Sequence, residues 1–176
     1  MSNSSLALAV DSRLDRYTLR RVLNEGGFGL VYLAEEDGTQ QYFVIKEYLP
    51  SKLAFRDENL NVLVRPEADD ELFRQGRRAF FQEAAVLAAL NHPNIVKVRH
   101  FFQAHETVYF TMDFAQGIAL RSIIKKARRP LFENFLRRIF GPILAGLEVV
   151  HQHKLLHLDI KPSNICNKFS IFNYSF

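Results

Sequence analysis

The hydrophobic period of this chain changes in a fixed order along its length, and that order limits the folds it can adopt. Over residues 17–33 and 41–48, β-branched and aromatic residues are interrupted by glycines and by the turn-like EEDGT, which predicts three short antiparallel strands. Residues 71–90 carry apolar side chains at helical spacing and stop at NHPN. Two more strands are predicted over residues 95–102 and 107–114.

The second part of the chain has a helical pattern. Helices are predicted over residues 120–126 and 132–151, and Pro142 inside the second should bend it or remove a hydrogen bond. Residues 49–70 are polar and without a sustained period, so they are predicted to form a long loop. The resulting fold class is α+β: a five-stranded antiparallel sheet with one inserted helix, followed by a helical region.

The composition of the chain argues against several classes of protein. The net charge is +4, but the basic residues are dispersed, so we expect no nucleic-acid partner. No apolar run approaches the ~18 residues of a membrane span, and the N-terminus lacks the basic region of a signal peptide. The single cysteine, Cys166, excludes an intrachain disulfide and indicates a reducing, cytoplasmic location.

A glycine-rich turn between the first two strands is the first motif that carries chemistry. In LNEGGFGLVYLA, glycines let backbone N–H groups approach phosphate oxygens because they lack a Cβ atom. An ordinary hairpin would have the same glycines, so the motif needs support from elsewhere in the chain.

A lysine on the third strand gives that support. In FVIKEY, Lys46 alternates with Val44 and is predicted to point inward, where a charged group needs a partner. Glu83 shares the core side of the following helix with Phe80 and could supply one. The alternative is a strand lysine whose stem packs on the sheet while its head stays in water.

The third motif is HLDIKPSN, directly after the long helix. Phosphoryl transfer needs a carboxylate to orient the attacking hydroxyl, a cation near the moving group and an oxygen ligand for magnesium. Asp159, Lys161 and Asn164 match those needs in kind and order. The alternative is an Asx-Pro loop made of turn formers, which the presence of all three motifs in one chain disfavours.

Taken together, these motifs resemble the first part of a bacterial-type serine/threonine protein kinase catalytic domain. The resemblance implies a protein kinase-like fold with an N-terminal extension at 1–16, an N-lobe at 17–115, the beginning of a C-lobe with the catalytic loop at 116–166, and an aberrant tail at 167–176. It implies ATP and Mg²⁺ as cofactors and a protein with a Ser or Thr acceptor as substrate. Lys161, two residues after the acid, is similar to the serine/threonine rather than the tyrosine branch.

The resemblance also implies roles for single residues. Asp159 would be the catalytic base, Lys161 its neighbour at the γ-phosphate and Asn164 a magnesium ligand, while Lys46 would contact the α- and β-phosphates and pair with Glu83. The remaining nucleotide-binding positions implied are the lid glycines Gly26 and Gly29, the adenine roof Leu23, Val31 and Val44, the rear residue Met112, the backbone of Asp113 and Ala115, and Cys166 beneath the base.

Four departures from the family pattern stand out. Asn24 replaces the first lid glycine, Cys166 replaces an apolar residue, and Leu158 replaces the arginine that normally holds a phosphorylated activation loop. No Asp or Glu follows Asp159, so the Asp-Phe-Gly aspartate that binds magnesium is missing. We therefore expect a frameshift, an early stop or a fragmentary gene model, and an inactive fragment.

Three other interpretations are open at this stage. The shortened chain could be a non-catalytic module that binds nucleotide or a partner protein, or a small-molecule phosphotransferase, which Lys161 and HPNIV disfavour. A zinc site is also conceivable, but the kinase-like pattern already accounts for one of its histidines. Its ligands would be His151, His153, His157 and Cys166.

Overall fold

The computed structural model describes residues 6–27, 29–127, 130–157 and 159–167. The chain divides into two compact units, one of Met1–Ala89 and Lys97–Phe114, the other of Leu90–Val96 and Ala115–Phe176. Within the described residues, no helix has both the length and the apolar content needed to cross a bilayer.

The first unit is built on antiparallel strands and one helix. Its strands are β1 (Arg13–Leu14), β2 (Tyr17–Gly26), β3 (Gly29–Glu36), β4 (Tyr42–Tyr48), β5 (Ala54–Arg56), β6 (Val62–Val64), β7 (Val98–Ala104) and β8 (Thr107–Asp113), and helix α1 spans Asp70–Ala89. Six strands form one sheet in the order β1-β2-β3-β4-β8-β7. The five predicted strands are all present, and the sixth is β1, whose two residues are too few to show a period.

The predicted long loop at 49–70 contains a hairpin, so that prediction was wrong. Strands β5 and β6 pair antiparallel through three residues each. The turn between them is closed by Asp57, whose Oδ1 accepts hydrogen bonds from the backbone N–H groups of Asn59 and Asn61. Strands this short, between two prolines, leave no readable alternation in the sequence.

Residues before the first long strand also belong to the first unit. Leu8 and Leu14 are buried in its core. The backbone N–H of Leu8 donates a hydrogen bond to the Tyr32 hydroxyl at 3.2 Å, and Arg56 Nε donates to the carbonyl oxygen of Leu6 at 2.7 Å. Much of the expected N-terminal extension is therefore part of the packed structure.

Helix α1 starts after Asp69, whose Oδ1 accepts hydrogen bonds from the backbone N–H groups of Glu71 and Leu72. Such a side chain satisfies donors that have no partner inside the helix. The buried residues of α1 are Phe73, Phe80 and Ala84, which recur at the seven- and four-residue spacing of one helical face. This face packs into the core of the first unit.

The second unit contains strand β9 (Ile118–Ala119), helix α2 (Leu120–Lys126), helix α3 (Glu133–Gln152) and strand β10 (Cys166–Asn167). Both helices lie within one residue of their predicted bounds, and α3 continues through Pro142. Strands β9 and β10 pair antiparallel, which places Cys166 opposite Ala119. This short ladder fixes the end of the segment that follows α3.

Candidate active site

The glycine-rich turn joins β2 to β3, and Gly26 is paired with Gly29 across it. Gly29 has a φ of +152°, and a Cβ atom there would collide with the carbonyl oxygen of Glu47 on β4. Among the described residues, leaving aside its chain neighbours, nothing lies within 4 Å of a Cβ built on Gly27. The turn is thus tightly packed at its β3 end, while the backbone at Gly27 is open. Phe28 lies outside the described residues.

Strand β4 presents Lys46 and Glu47 to opposite faces of the sheet. Ile45 and Glu47 are fully buried, whereas Val44 and Lys46 are partly exposed. In the register, Val31 is opposite Lys46 and Met112 is opposite Val44. Because paired residues point to the same side of a sheet, Val31, Val44, Lys46 and Met112 share one face.

Lys46 and Glu83 are brought together by this strand and helix α1. Lys46 Nζ lies 2.8 Å from Glu83 Oε1, and the two side chains are 29% and 51% exposed. The ammonium also lies 5.5 Å from the ring centroids of both Phe80 and Phe110. Two aromatic faces and a carboxylate therefore hold one cation that still reaches solvent.

The end of β8 carries two more of the predicted residues. Met112 is half-buried against the core. The Asp113 carboxylate accepts two hydrogen bonds from Arg99, at 2.6 and 2.8 Å, and its backbone N–H donates to the carbonyl oxygen of Lys97 at 3.0 Å. This bidentate pair and the backbone hydrogen bond together fix the end of the strand. Leu23, on β2, is exposed.

In the second unit, Ala115 and Cys166 are in contact, since the Cys166 thiol donates to the Ala115 carbonyl oxygen at 3.6 Å. Between α3 and β10 lies the segment that holds Asp159, Lys161 and Asn164. Two backbone N–H groups at the start of α2, those of Leu120 and Arg121, donate to carbonyl oxygens of that segment, each at 2.9 Å. Helix-start donors have no partner inside the helix, so these bonds anchor the segment.

In that segment, the side chains of Lys161 and Asn164 converge on one carboxylate oxygen of Asp159. Lys161 Nζ and Asn164 Nδ2 each lie 2.8 Å from Asp159 Oδ2, and Asn164 Nδ2 also donates to the Asp159 carbonyl oxygen at 3.0 Å. These bonds, the one from Lys161 foremost, hold the pKa of Asp159 below its usual value. Asp159 is therefore ionised at neutral pH, and its Oδ1 receives no hydrogen bond from the described residues. Leu158 and residues 168–176 lie outside those residues.

The arrangement agrees with one family of known proteins. The model of the protein kinase domain matches residues 17–169. The chain belongs to the protein kinase family.

Serine/threonine kinases are among the relatives of this kinase chain. It is 31% identical over 163 residues to the serine/threonine-protein kinase PknD of Chlamydia trachomatis, covering 86% of this chain and 15% of PknD. It is 29% identical over 154 residues to the carbon catabolite-derepressing protein kinase of Candida tropicalis, covering 88% of this chain and 22% of that protein.

Two solved structures are also similar. The apo form of PpkA-294 matches with a TM-score of 0.85 and 31% identity, over 92% of this chain and 58% of that one. The kinase domain of PknI from Mycobacterium tuberculosis matches with a TM-score of 0.66 and 28% identity, over 91% of this chain and 57% of that one. This kinase chain therefore spans about a fifth of the curated relatives and somewhat over half of the solved domains.

Sequence reasoning passed over two residues beside the Lys46–Glu83 pair. Tyr48 follows Lys46 by two residues on the same strand face, and Gly76 precedes Glu83 by two helical turns. Their spacing from Lys46 and Glu83 was the signal in the sequence that could have identified them. A tyrosine at a strand end and a glycine in a helix are both common, however, and only the structure shows that these two are in contact.

Proposed function

We propose that this chain carries the nucleotide-binding lobe and catalytic loop of an ATP-dependent serine/threonine protein kinase, which transfers the γ-phosphoryl group of Mg-ATP to a protein hydroxyl. The observation that carries the proposal is the Lys46–Glu83 ion pair at 2.8 Å, on the sheet face shared with Val31, Val44 and Met112. The single cysteine fits a reducing, cytoplasmic setting.

The residues present fit a nucleotide. Lys46 is a held cation with solvent access, and the open backbone at Gly27, beside Gly26, leaves room for phosphate oxygens near N–H groups. Leu23, Val31 and Val44 would cover the adenine, and the Asp113 carbonyl oxygen and the Ala115 backbone would bind its edge. In the second unit, Cys166 would lie beneath the base, and the Asn164 amide oxygen would bind magnesium, which prefers oxygen ligands.

Magnesium, when bound, would neutralise charge on the phosphate oxygens. The chain's own contribution is positioning. Asp159, kept ionised by Lys161 and Asn164, would accept a hydrogen bond from the substrate hydroxyl through Oδ1 and orient its oxygen for attack. Lys161 would place its positive charge beside the transferred group.

The isolated 176-residue polypeptide should bind nucleotide without measurable phosphoryl transfer. Its sequence has no Asp or Glu after Asp159, so of the two magnesium-binding side chains that the reaction uses it would supply only Asn164. A second candidate function follows from the same fact: a non-catalytic module that binds nucleotide or a partner protein.

Two measurements test these proposals. Mg-ATP affinity of the 176-residue chain is measured by calorimetry, with Lys46→Met as the comparison; the kinase proposal requires binding that this variant weakens. Phosphate incorporation into a generic protein substrate is then measured for the same chain and for Asp159→Ala. If the 176-residue chain incorporates phosphate and Asp159→Ala does not, the expectation that this chain is inactive is contradicted. If the chain shows no nucleotide binding that depends on Lys46, only the partner-binding function is left.

A further inference from the structure

Helix α1 approaches strand β4 closely at one position, where Gly76 faces Tyr48. A Cβ atom on Gly76 would overlap the Tyr48 hydroxyl oxygen and lie 3.2 Å from Cζ of the same ring. A Cβ essentially never overlaps another atom as it would the hydroxyl oxygen here, so an alanine requires the ring or the helix to move. The absence of a side chain at Gly76 thus sets how near the helix lies to the strand.

The Tyr48 ring has little freedom to make room. It is buried, its hydroxyl donates to the Phe73 carbonyl oxygen at 3.0 Å, and its ring centroid lies 5.2 Å from that of Phe73 and 5.5 Å from that of Phe80. Its own carbonyl oxygen accepts a hydrogen bond from the Thr107 hydroxyl. A clash at Gly76 would therefore move the helix rather than the ring.

The Tyr48–Gly76 contact and the Lys46–Glu83 ion pair belong to the same interface. Tyr48 and Lys46 are two residues apart on one face of β4, and Gly76 and Glu83 are seven apart on one face of α1. Phe80 lies between the two contacts: its ring centroid is 5.5 Å from that of Tyr48, and Lys46 Nζ is 5.5 Å from it. Displacement of the helix at Gly76 would thus be transmitted to the ion pair.

We propose that Gly76 and Tyr48 are positioning residues that set the separation between α1 and β4 at which Lys46 reaches Glu83. The consequence for nucleotide binding rests on the proposed function, since it takes Lys46 as the phosphate-binding lysine. The geometric consequence for Lys46 itself does not depend on that function.

Four forms of the 176-residue chain test the proposal: the parent, Gly76→Ala, Tyr48→Phe and the double variant. Gly76→Ala introduces the clash. Tyr48→Phe removes the hydroxyl oxygen that the new methyl group would overlap, so the double variant should relieve it. Gly146→Ala is the matched control, because Gly146 also lies inside a helix and a Cβ there would make only ordinary van der Waals contacts, at 3.6 to 3.7 Å. Alanine is the better helix former at both positions, so loss at Gly76 alone cannot come from helix propensity.

The readout is the position of the Lys46 ammonium. Reductive methylation with ¹³C-formaldehyde labels lysines as dimethyl-lysine, which keeps the positive charge. The Lys46 signal, assigned by its absence in Lys46→Arg, should be shifted by the rings of Phe80 and Phe110. Mg-ATP affinity is measured alongside, and Gly76→Ala should weaken it on the order of tenfold, as for the loss of one charged contact.

The expected result is that Gly76→Ala moves the Lys46 signal towards that of a solvated lysine, whereas the double variant and Gly146→Ala keep it near the parent position. If Gly76→Ala does not fold, the double variant must fold and show the parent signal. An unchanged Lys46 signal in folded Gly76→Ala, or a double variant no closer to the parent than the single one, would overturn the proposal. If the parent chain binds no Mg-ATP, the proposed function is contradicted. The position of the Lys46 signal in the variants would still show whether Gly76 and Tyr48 act as positioning residues.

Discussion

Glu47 and Arg56 form an ion pair that is almost wholly removed from water. The atoms Arg56 Nη2 and Glu47 Oε1 lie 2.6 Å apart, with side-chain exposures of 6% and 0%. The hydroxyls of Tyr32 and Tyr109 donate to the same carboxylate. Burial and then the Glu47 charge raise the pKa of both tyrosines. Burial by itself would lower the pKa of the Arg56 guanidinium. The charge of Glu47 and its hydrogen bond have the larger combined effect, so the pKa of Arg56 is raised.

Arg56→Met should destabilise the first unit strongly. It leaves the Glu47 carboxylate buried without its cation, which typically costs about 3–5 kcal/mol, and the two tyrosine donors should keep the loss near the lower value. The free energy of unfolding is measured by urea denaturation. Arg74→Met is the control, because it removes an exposed pair with Asp70 on α1 that is worth about 0.3–0.5 kcal/mol. Equal losses in the two variants would contradict the prediction.

Lys46→Met should abolish phosphoryl transfer in a polypeptide that contains a complete catalytic domain, because Met keeps the apolar stem and removes the charge. A loss on the order of 10²-fold or more is expected for a group that stabilises transferred charge. Glu83→Gln should lose less, because its amide oxygen can still accept a hydrogen bond from Lys46. Initial rates of phosphate incorporation are measured, with circular dichroism as the check on folding. If Lys46→Met kept near-parental activity while Asp159→Ala lost it, the role given to Lys46 would be wrong.

The stability of the first unit should fall in mildly acidic solution, in part through His105. Burial, and after it the Arg56 guanidinium, lower the pKa of this histidine, whose Nδ1 lies 3.1 Å from the Tyr109 hydroxyl. Below the ordinary histidine pKa of about 6.5, the unfolded chain therefore binds the proton more readily than the folded chain. As the pH falls from about 6.5 through the lowered pKa of His105 in the folded chain, the free energy of unfolding decreases. Above about pH 6.5 the histidine is neutral in both states and makes no pH-dependent contribution.

The variant His105→Gln isolates that contribution. Its stability difference between about pH 7.5 and about pH 5.5 should be smaller than in the parent, whatever constant offset the substitution adds. The difference is obtained from urea unfolding at the two pH values. A difference equal to that of the parent would show that His105 does not titrate differently on folding.

Helix α3 should make the 176-residue chain self-associate. Phe140 and Leu144, one turn apart on this helix, are 47% and 62% exposed, and adjoining apolar side chains of this size promote association. Phe140→Lys together with Leu144→Lys should lower the weight-average mass measured by sedimentation at high concentration. The control adds the same charge at two other exposed positions of α3, Asn134→Lys and Ala145→Lys. A parent chain that sediments as a monomer at all concentrations would contradict this expectation.

Local periodicity was enough to predict Lys46 beside Glu83. Alternation along β4 places Lys46 with Val44, and the helical repeat of α1 places Glu83 with Phe80. It was not enough for the contacts between distant segments. Arg56 bonds Leu6 and Glu47 across 50 and 9 residues, and neither three-residue strands nor a lone buried Leu8 produces a period. Such contacts depend on tertiary packing, which a one-dimensional pattern does not encode.

The packing of residues 6–14 bears on where a recombinant gene for this lobe should begin. The family model starts at Tyr17, after Leu8, Leu14 and strand β1. A gene cut at that boundary would encode a sheet without its edge strand and a core with two leucines removed. Cloning limits taken from sequence families alone would thus yield a poorly soluble product here, whereas limits taken from the packing would keep the opening segment.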